Sequence, residues 1–217
     1  EALGWLNFNQ ALAKSDNVYF YEMGNRLGIE NIDLYARYFG LGEKTGINLV
    51  GEAAGNVASP EYKRKVFDQD WYLGETFDAA IGQSFHLATP LQMAVLLSQV
   101  ANGGIRYQPY VVSRVDNPDG TPAEIFGPKN LGVLPVPKNI MDLIREGLRD
   151  VTNEGGTAGA LFKGFPIAVA GKTGTAENAH GRDHGWFVAY APYDKPQIVV
   201  VALVLVLAQR DLLYVIY

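Results

Sequence analysis

Cysteine is absent from the 217 residues, which removes any disulfide framework and any thiolate metal site and leaves the redox compartment open. Runs of like charge are missing as well. Lysine and arginine number 18 against 23 aspartates and glutamates, and the formal net charge of -5 comes without the basic face a nucleic-acid partner requires. Long apolar runs are also lacking. The longest, Ile198 to Ala208, has eleven residues against the roughly 20 needed for a membrane-crossing helix, and it reads as a buried strand. The opening Glu1-Ala2-Leu3-Gly4-Trp5 has no signal-peptide pattern, so the chain is read as a mature or truncated product. Histidine is scarce, with three residues. His180 and His184 have the four-residue spacing of a helical zinc pair, but Gly181 and Gly185 flank them in hairpin-like sequence. A solvated loop is therefore the better reading, and no metal is expected. His86 has no partner visible in sequence.

What is present is a globular composition, 48% hydrophobic and 19% charged, sufficient for one core and one domain or most of one. The first third has helical texture. Leu12, Val18, Phe20, Met23 and Leu27 recur with Gly24 and Gly28 as interruptions, and Ile32 to Phe39 forms a second amphipathic segment stopped by Gly40. Lys44 to Ser59 reads as an extended loop and the charged stretch Glu61 to Asp70 as exposed. Thr89 as N-cap, Pro90 at the first helical position and Met93, Leu96, Leu97 and Val100 at helical spacing predict a helix that Asn102-Gly103-Gly104 ends. Tyr110 to Val115 and Ala123 to Phe126 around Asn117-Pro118-Asp119-Gly120 predict a hairpin, and Pro137 opens a helix carrying Ile140, Ile144 and Leu148.

Three strands close the chain, Ile167 to Thr175, Trp186 to Ala191 and Gln197 to Leu207, and their short connections imply antiparallel neighbours. The near-continuous apolar character of the last predicts a sheet covered by helices on both faces. The fold class is thus α+β, a mostly antiparallel sheet with an adjoining helical lobe.

Two short motifs carry chemistry. Ser15-Asp16-Asn17 lies in the helical third, and Lys172-Thr173-Gly174-Thr175 lies in a predicted strand. A lysine supplies positive potential, a threonine hydroxyl can hold a substrate carboxylate, and a glycine admits close approach to the backbone. Ser15 and Asn17 also suit helix caps. Lys44-Thr45-Gly46 repeats the tripeptide in a loop, where it reads as an ordinary turn.

Ala170-Gly171-Lys172-Thr173-Gly174-Thr175-Ala176-Glu177 followed by His184-Gly185-Trp186-Phe187-Val188-Ala189-Tyr190-Ala191-Pro192 resembles the penicillin-binding transpeptidases, in particular the class B, monofunctional type. Ile81-Gly82-Gln83, Thr89-Pro90-Leu91-Gln92-Met93-Ala94 and Ala101-Asn102-Gly103-Gly104 extend the resemblance, which runs from about Leu6 to Leu205. The family's third motif, Ser-x-x-Lys, is not among residues 1–217. None of the five serines, Ser15, Ser59, Ser84, Ser98 and Ser113, has lysine three places on. The tail 209–217 also departs from the family pattern, so residues 1–217 read as a partial transpeptidase domain.

The resemblance implies a penicillin-binding protein or serine β-lactamase-like fold and a peptidoglycan D,D-transpeptidase that crosslinks stem peptides through a serine acyl-enzyme and is blocked by β-lactams. It implies catalytic roles for Ser15 as proton relay, Lys172 as a source of positive potential and Thr175 as an oxyanion donor, and substrate-binding roles for Asn17, Thr173 and Gly174. Asp16 is expected to hold the loop, and Glu177 is either near the site or a surface charge. Peptidoglycan stem peptides, β-lactams and cell-wall elongation or division proteins are the implied partners, at the extracytoplasmic face of the bacterial membrane, with no cofactor and no nucleic acid. Without the nucleophile, residues 1–217 alone are expected to be inactive. A serine β-lactamase and a non-catalytic penicillin-sensing or scaffold domain remain as alternatives.

Overall fold

The computed structural model describes residues 3–177, 182–207 and 210–216. The chain begins with three helices, α1 (Phe8–Lys14), α2 (Asn17–Leu27) and α3 (Ile29–Tyr38). A long loop leads to α4 (Pro60–Phe67), α5 (Leu73–Ala80) and α6 (Pro90–Ala101). Four short strands follow, β1 (Ile105–Gln108), β2 (Arg114–Asp116), β3 (Pro122–Ile125) and β4 (Lys129–Val133), then α7 (Lys138–Thr152) and α8 (Gly159–Phe162). The chain ends in β5 (Ala170–Ala176), β6 (His184–Ala191), β7 (Ile198–Leu207) and β8 (Arg210–Ile216), an antiparallel sheet in the order β5-β6-β7-β8. β5 is therefore an edge strand. The architecture is the expected α+β sheet with helices packed on it and a helical lobe beside it.

The sheet register decides where the core sits. Lys172 pairs with Val188 and Val188 with Val201, so these three share one face, as do Ala170, Tyr190 and Val199. That face packs on α6 and α7: Leu97, Val100, Ala101, Met141 and Leu148 bury Ala170 and Tyr190, with Leu134 joining them. α1 packs against α7, and its Leu12 also meets the core cluster. A Cβ at Gly147 would come 2.7 Å from a methyl carbon of Leu12, so any larger residue there would have to displace the end of the Leu12 side chain. The opposite face, which carries Thr173, Phe187 and Ala202, is only partly covered. Phe162 of α8 stacks on Phe187 at 5.8 Å, while Ile198 and Val204 stay 45% and 38% exposed. Helices on both faces, expected from the uniform apolar run, are thus found fully on one side only among the described residues. An apolar strand shows that both faces could be buried, not that both are.

In the helical lobe Gly24 does not interrupt α2. It is buried within the helix, where a Cβ would meet the Ala80 Cβ at 2.5 Å, so the glycine lets α2 and α5 pack backbone to backbone. Ile29, Ala58 and Ala79 form the lobe's own small core with Ile32, Trp71 and Phe85 against it. The charged stretch Glu61 to Asp70 is mostly exposed, as expected, with Lys63 the buried residue in it. It forms most of α4, and Lys63 is 4% exposed because its ammonium meets the Glu75 carboxylate at 2.6 Å and lies over the Tyr72 ring. A buried ion is tolerated when paired in this way.

α6 starts as its sequence indicates, with Thr89 accepting from the Gln92 N–H and Gln92 reaching back to the Thr89 N–H. The Gln92 amide nitrogen then donates to the carbonyls of Glu43 and Ala54, both at 2.8 Å, which ties the long loop to the helix. His86 is structural: its Nδ1 accepts from the Ala58 N–H at 3.2 Å, and burial lowers its pKa. The predicted hairpin is β2 and β3, shorter than expected and exposed throughout. It grows out of a second pair, β1 with β4, whose partners lie too far apart in sequence to be seen by pattern. Residues 210–216 of the tail form β8, antiparallel to β7. His184 opens β6, while His180 lies outside the described residues.

Candidate active site

Ser15-Asp16-Asn17 is the turn between α1 and α2, and each residue has a different task. Ser15 closes α1 in the left-handed region at φ 56°, and the Asp16 N–H donates to the Ala11 carbonyl at 2.9 Å. Asp16 caps α2, its carboxylate accepting from the Tyr19 N–H at 2.7 Å, so it holds the loop as expected. The Ser15 hydroxyl and the Asn17 side chain cap nothing. Both remain exposed to a cleft of about 1230 Å³.

The opposite wall is β5, whose free edge runs along the same cleft. Lys172, Thr173, Gly174 and Thr175 line it together with Ser15 and Asn17, so all six residues singled out in sequence meet in one place. The decisive contact crosses the cleft floor: Lys172 Nζ donates to Ser15 Oγ at 2.6 Å, and also to the Thr173 carbonyl at 2.8 Å. An ammonium has three hydrogens and no lone pair, so a third remains for a ligand. The Ser15 oxygen accepts from Lys172, and its own hydrogen is left to point elsewhere. Burial lowers the Lys172 pKa, and no ion pair to a carboxylate offsets this among the described residues. A half-buried cation without an anion creates positive potential where a ligand's anion would be stabilised.

Gly171 and Gly174 serve the strand differently. A Cβ at Gly171 would meet the Val188 carbonyl at 2.5 Å, which is prohibitive, whereas one at Gly174 would stand 3.3 Å from the Trp186 Cβ. Gly174 thus keeps that stretch of the wall bare at the cost of a tight rather than impossible fit. Gln83, just after α5, donates its side-chain N–H to the Thr175 carbonyl at 3.1 Å and bridges the helical lobe to the sheet. Glu177 and Asp183 stand at the rim with Asp78 on the helical side.

Thr157 escaped the sequence reading. It belongs to the loop between α7 and α8, and its hydroxyl lies 2.8 Å from that of Thr173. The signal was the run Gly155-Gly156-Thr157-Ala158-Gly159, whose glycines mark a constrained backbone. Lys44-Thr45-Gly46 lies outside the cleft, as its loop context implied. Thr45 is 3% exposed, and its N–H and hydroxyl donate to one Glu52 carboxylate oxygen at 2.7 and 2.5 Å.

A helical lobe and the edge of an antiparallel sheet, joined across a cleft by a lysine and a serine from distant motifs, define the architecture of penicillin-recognising acyl-transfer proteins. The family model for the penicillin binding protein transpeptidase domain matches residues 2–209, and the chain belongs to that family, with relatives of the class B type over most of its length. The peptidoglycan D,D-transpeptidase MrdA of Escherichia coli K12 is 34% identical over 213 residues, which cover 91% of this chain and 34% of that protein. MrdA of Haemophilus influenzae is 32% identical, over 92% of this chain and 33% of its own length. The chain therefore spans about a third of the length of the curated relatives it matches.

Among solved structures, the complex between Penicillin-Binding Protein (PBP2) and MreC from Helicobacter pylori is similar with a TM-score of 0.79 and 34% identity, over 91% of this chain and 36% of the solved chain. Pseudomonas aeruginosa PBP2 in complex with WCK 5153 gives a TM-score of 0.79 and 34% identity over 92% of this chain and 44% of that one.

Proposed function

We propose that these residues form the substrate-binding and proton-relay side of a peptidoglycan D,D-transpeptidase, with the acylating serine of a Ser-x-x-Lys motif supplied from outside residues 1–217. The observation that carries the reading is the 2.6 Å contact between Lys172 Nζ and Ser15 Oγ, which joins the two motifs. In this reading the incoming serine attacks the carbonyl of the D-alanyl-D-alanine bond of a stem peptide. The C–N bond breaks, terminal D-alanine leaves with a proton, and an amine from a second stem peptide resolves the acyl-enzyme.

Ser15 would relay the proton to the leaving nitrogen, since Lys172 holds its oxygen as acceptor and frees its hydrogen to move. Lys172 supplies positive potential to the terminal carboxylate, and the Thr173 hydroxyl donates to it. Asn17 holds a substrate peptide carbonyl. The Thr175 N–H, paired with that of the nucleophile, stabilises the oxyanion, a donor whose loss typically costs about 10²- to 10³-fold. Gly174 leaves room for the substrate along β5. β-Lactams would occupy the same groups and stop at the acyl stage, and no cofactor takes part.

Domain extent follows the same reading: residues 1–217 are part of one transpeptidase domain, and the tail 209–217 stands apart from its pattern. The relatives' names, together with a solved complex of PBP2 with MreC, favour a role in cell-wall elongation at the extracytoplasmic face of the membrane. The serine β-lactamase and penicillin-sensing alternatives have weaker support, since the matched family model is that of the transpeptidase domain.

The test is to incubate the complete protein with a stem pentapeptide ending in D-alanyl-D-alanine and an amine acceptor. Release of D-alanine with formation of a crosslinked product is expected. Rapid turnover of penicillin without a crosslink would favour the β-lactamase, and binding without D-alanine release would favour the sensor.

A further inference from the structure

We propose that Thr157 is a second carboxylate-binding hydroxyl of the cleft, acting with Thr173 on the anionic end of the substrate; the inference rests on the transpeptidase reading above. Its hydroxyl lies 2.8 Å from that of Thr173, on the same cleft wall as Lys172. In such a pair one hydroxyl donates to the other and one hydrogen is left over. A carboxylate that accepts from both replaces this neutral contact with two charge-assisted ones, which are shorter and about twice as strong.

The loop is built to keep that hydroxyl in place. The Thr157 N–H donates to the Ala13 carbonyl at 3.0 Å, two residues before Ser15, so the loop and the proton-relay turn are fixed to each other. Ala158 N–H donates to the Val151 carbonyl at 2.9 Å and Gly156 N–H to that of Asn153 at 3.0 Å. A Cβ at Gly156 would stand 2.2 Å from the Asp150 carbonyl oxygen and one at Gly159 2.1 Å from that of Asn153, so the backbone is folded back as closely as glycine allows. These anchors are all backbone. The side chain of Thr157 takes no part in them, and the contact the structure gives its hydroxyl is Thr173. Lys172, the strand neighbour of Thr173, lines the same cleft and brings a half-buried ammonium without a carboxylate among the described residues.

The experiment uses the complete protein and compares the second-order acylation rate by benzylpenicillin with that by its methyl ester, which lacks the anion. The ester is used at concentrations raised until the unaltered protein is acylated. Thr157→Val, close in shape and without the hydroxyl, should slow acylation by benzylpenicillin about 10- to 100-fold and acylation by the ester less than about twofold, the worth of one hydrogen bond to a charged group. Thr157→Ser should restore the rate with benzylpenicillin. Equal losses with both compounds would mean that Thr157 only shapes the loop, and no loss with either would mean that its hydroxyl is idle; either result overturns the assignment. Failure of the unaltered protein to be acylated by benzylpenicillin would instead overturn the transpeptidase reading, and the role of Thr157 with it.

Discussion

Lys44-Thr45-Gly46 and Lys172-Thr173-Gly174 are identical tripeptides in unlike surroundings. In the first, the chain satisfies its own groups: one Glu52 carboxylate oxygen takes the Thr45 N–H and hydroxyl, and the other takes the Gly46 N–H at 3.1 Å. Thr45 is buried and Lys44 is exposed to solvent. In the second, the pattern is inverted. Lys172 is drawn in toward Ser15, while Thr173, whose hydroxyl meets only that of Thr157 among the described residues, and Gly174 line an open cleft. The difference teaches that donors alone do not make a site. A site forms where the fold withholds the acceptor from them and leaves it to a ligand.

The largest effect that could break this contrast is on the lysines. Lys172→Ala in the complete protein should reduce acylation by benzylpenicillin about 10²- to 10⁴-fold, the range of a lost acid-base or electrostatic group. Lys44→Ala should leave it within about twofold, since an exposed lysine contributes little. Stopped-flow or gel-based acylation rates check both, and comparable losses would erase the distinction.

The threonines should separate rate from stability. Thr173→Val is expected to slow acylation about 10- to 100-fold with little change in unfolding midpoint. Thr45→Val should do the reverse. It leaves Glu52 without a hydroxyl donor, costs about 1–3 kcal/mol of stability, and keeps the rate per folded molecule. Chemical denaturation beside acylation kinetics reads the two effects separately.

Smaller effects lie in the pH dependence. Burial raises the Glu52 carboxyl pKa, but hydrogen bonds from Thr45 and Gly46 outweigh it and hold the pKa below the ordinary 4.5. A carboxyl depressed in the folded state contributes stability that is present above its unfolded pKa and is lost as pH falls through the folded one. The stability gap between the unaltered protein and Glu52→Gln should therefore be full near neutrality and shrink below pH 4.5. A gap independent of pH would show that the carboxylate's charge is not what the loop uses. At Lys172, burial lowers the pKa from 10.5, so acylation should fall on the alkaline side with a midpoint below 10.5. A midpoint at or above that value would contradict the desolvated environment.

What was legible in the sequence is what local chemistry determines. The start of α6 could be read because Thr89, Pro90 and Gln92 make their cap within four residues, and β5, β6 and β7 because short turns link them. The six candidate residues stand in two legible motifs, and the fold brings these to one cleft. What was not legible depends on partners far along the chain. Lys63 is buried because of Glu75 and Tyr72, position 24 is a glycine because Ala80 leaves no room for a Cβ, and β1 finds β4 across an intervening hairpin. Thr157 was missed because a threonine in a glycine-rich loop acquires meaning only when β5 sets Thr173 beside it.

In the proposed function Ser15 relays a proton and does not carry the acyl group. The most direct test is to map, by tandem mass spectrometry of peptides, the serine modified when the complete protein reacts with benzylpenicillin. One acylated serine in a Ser-x-x-Lys sequence outside residues 1–217 is expected, with Ser15 unmodified. A stoichiometric adduct on Ser15 would make it the nucleophile and overturn the assignment of roles across the cleft.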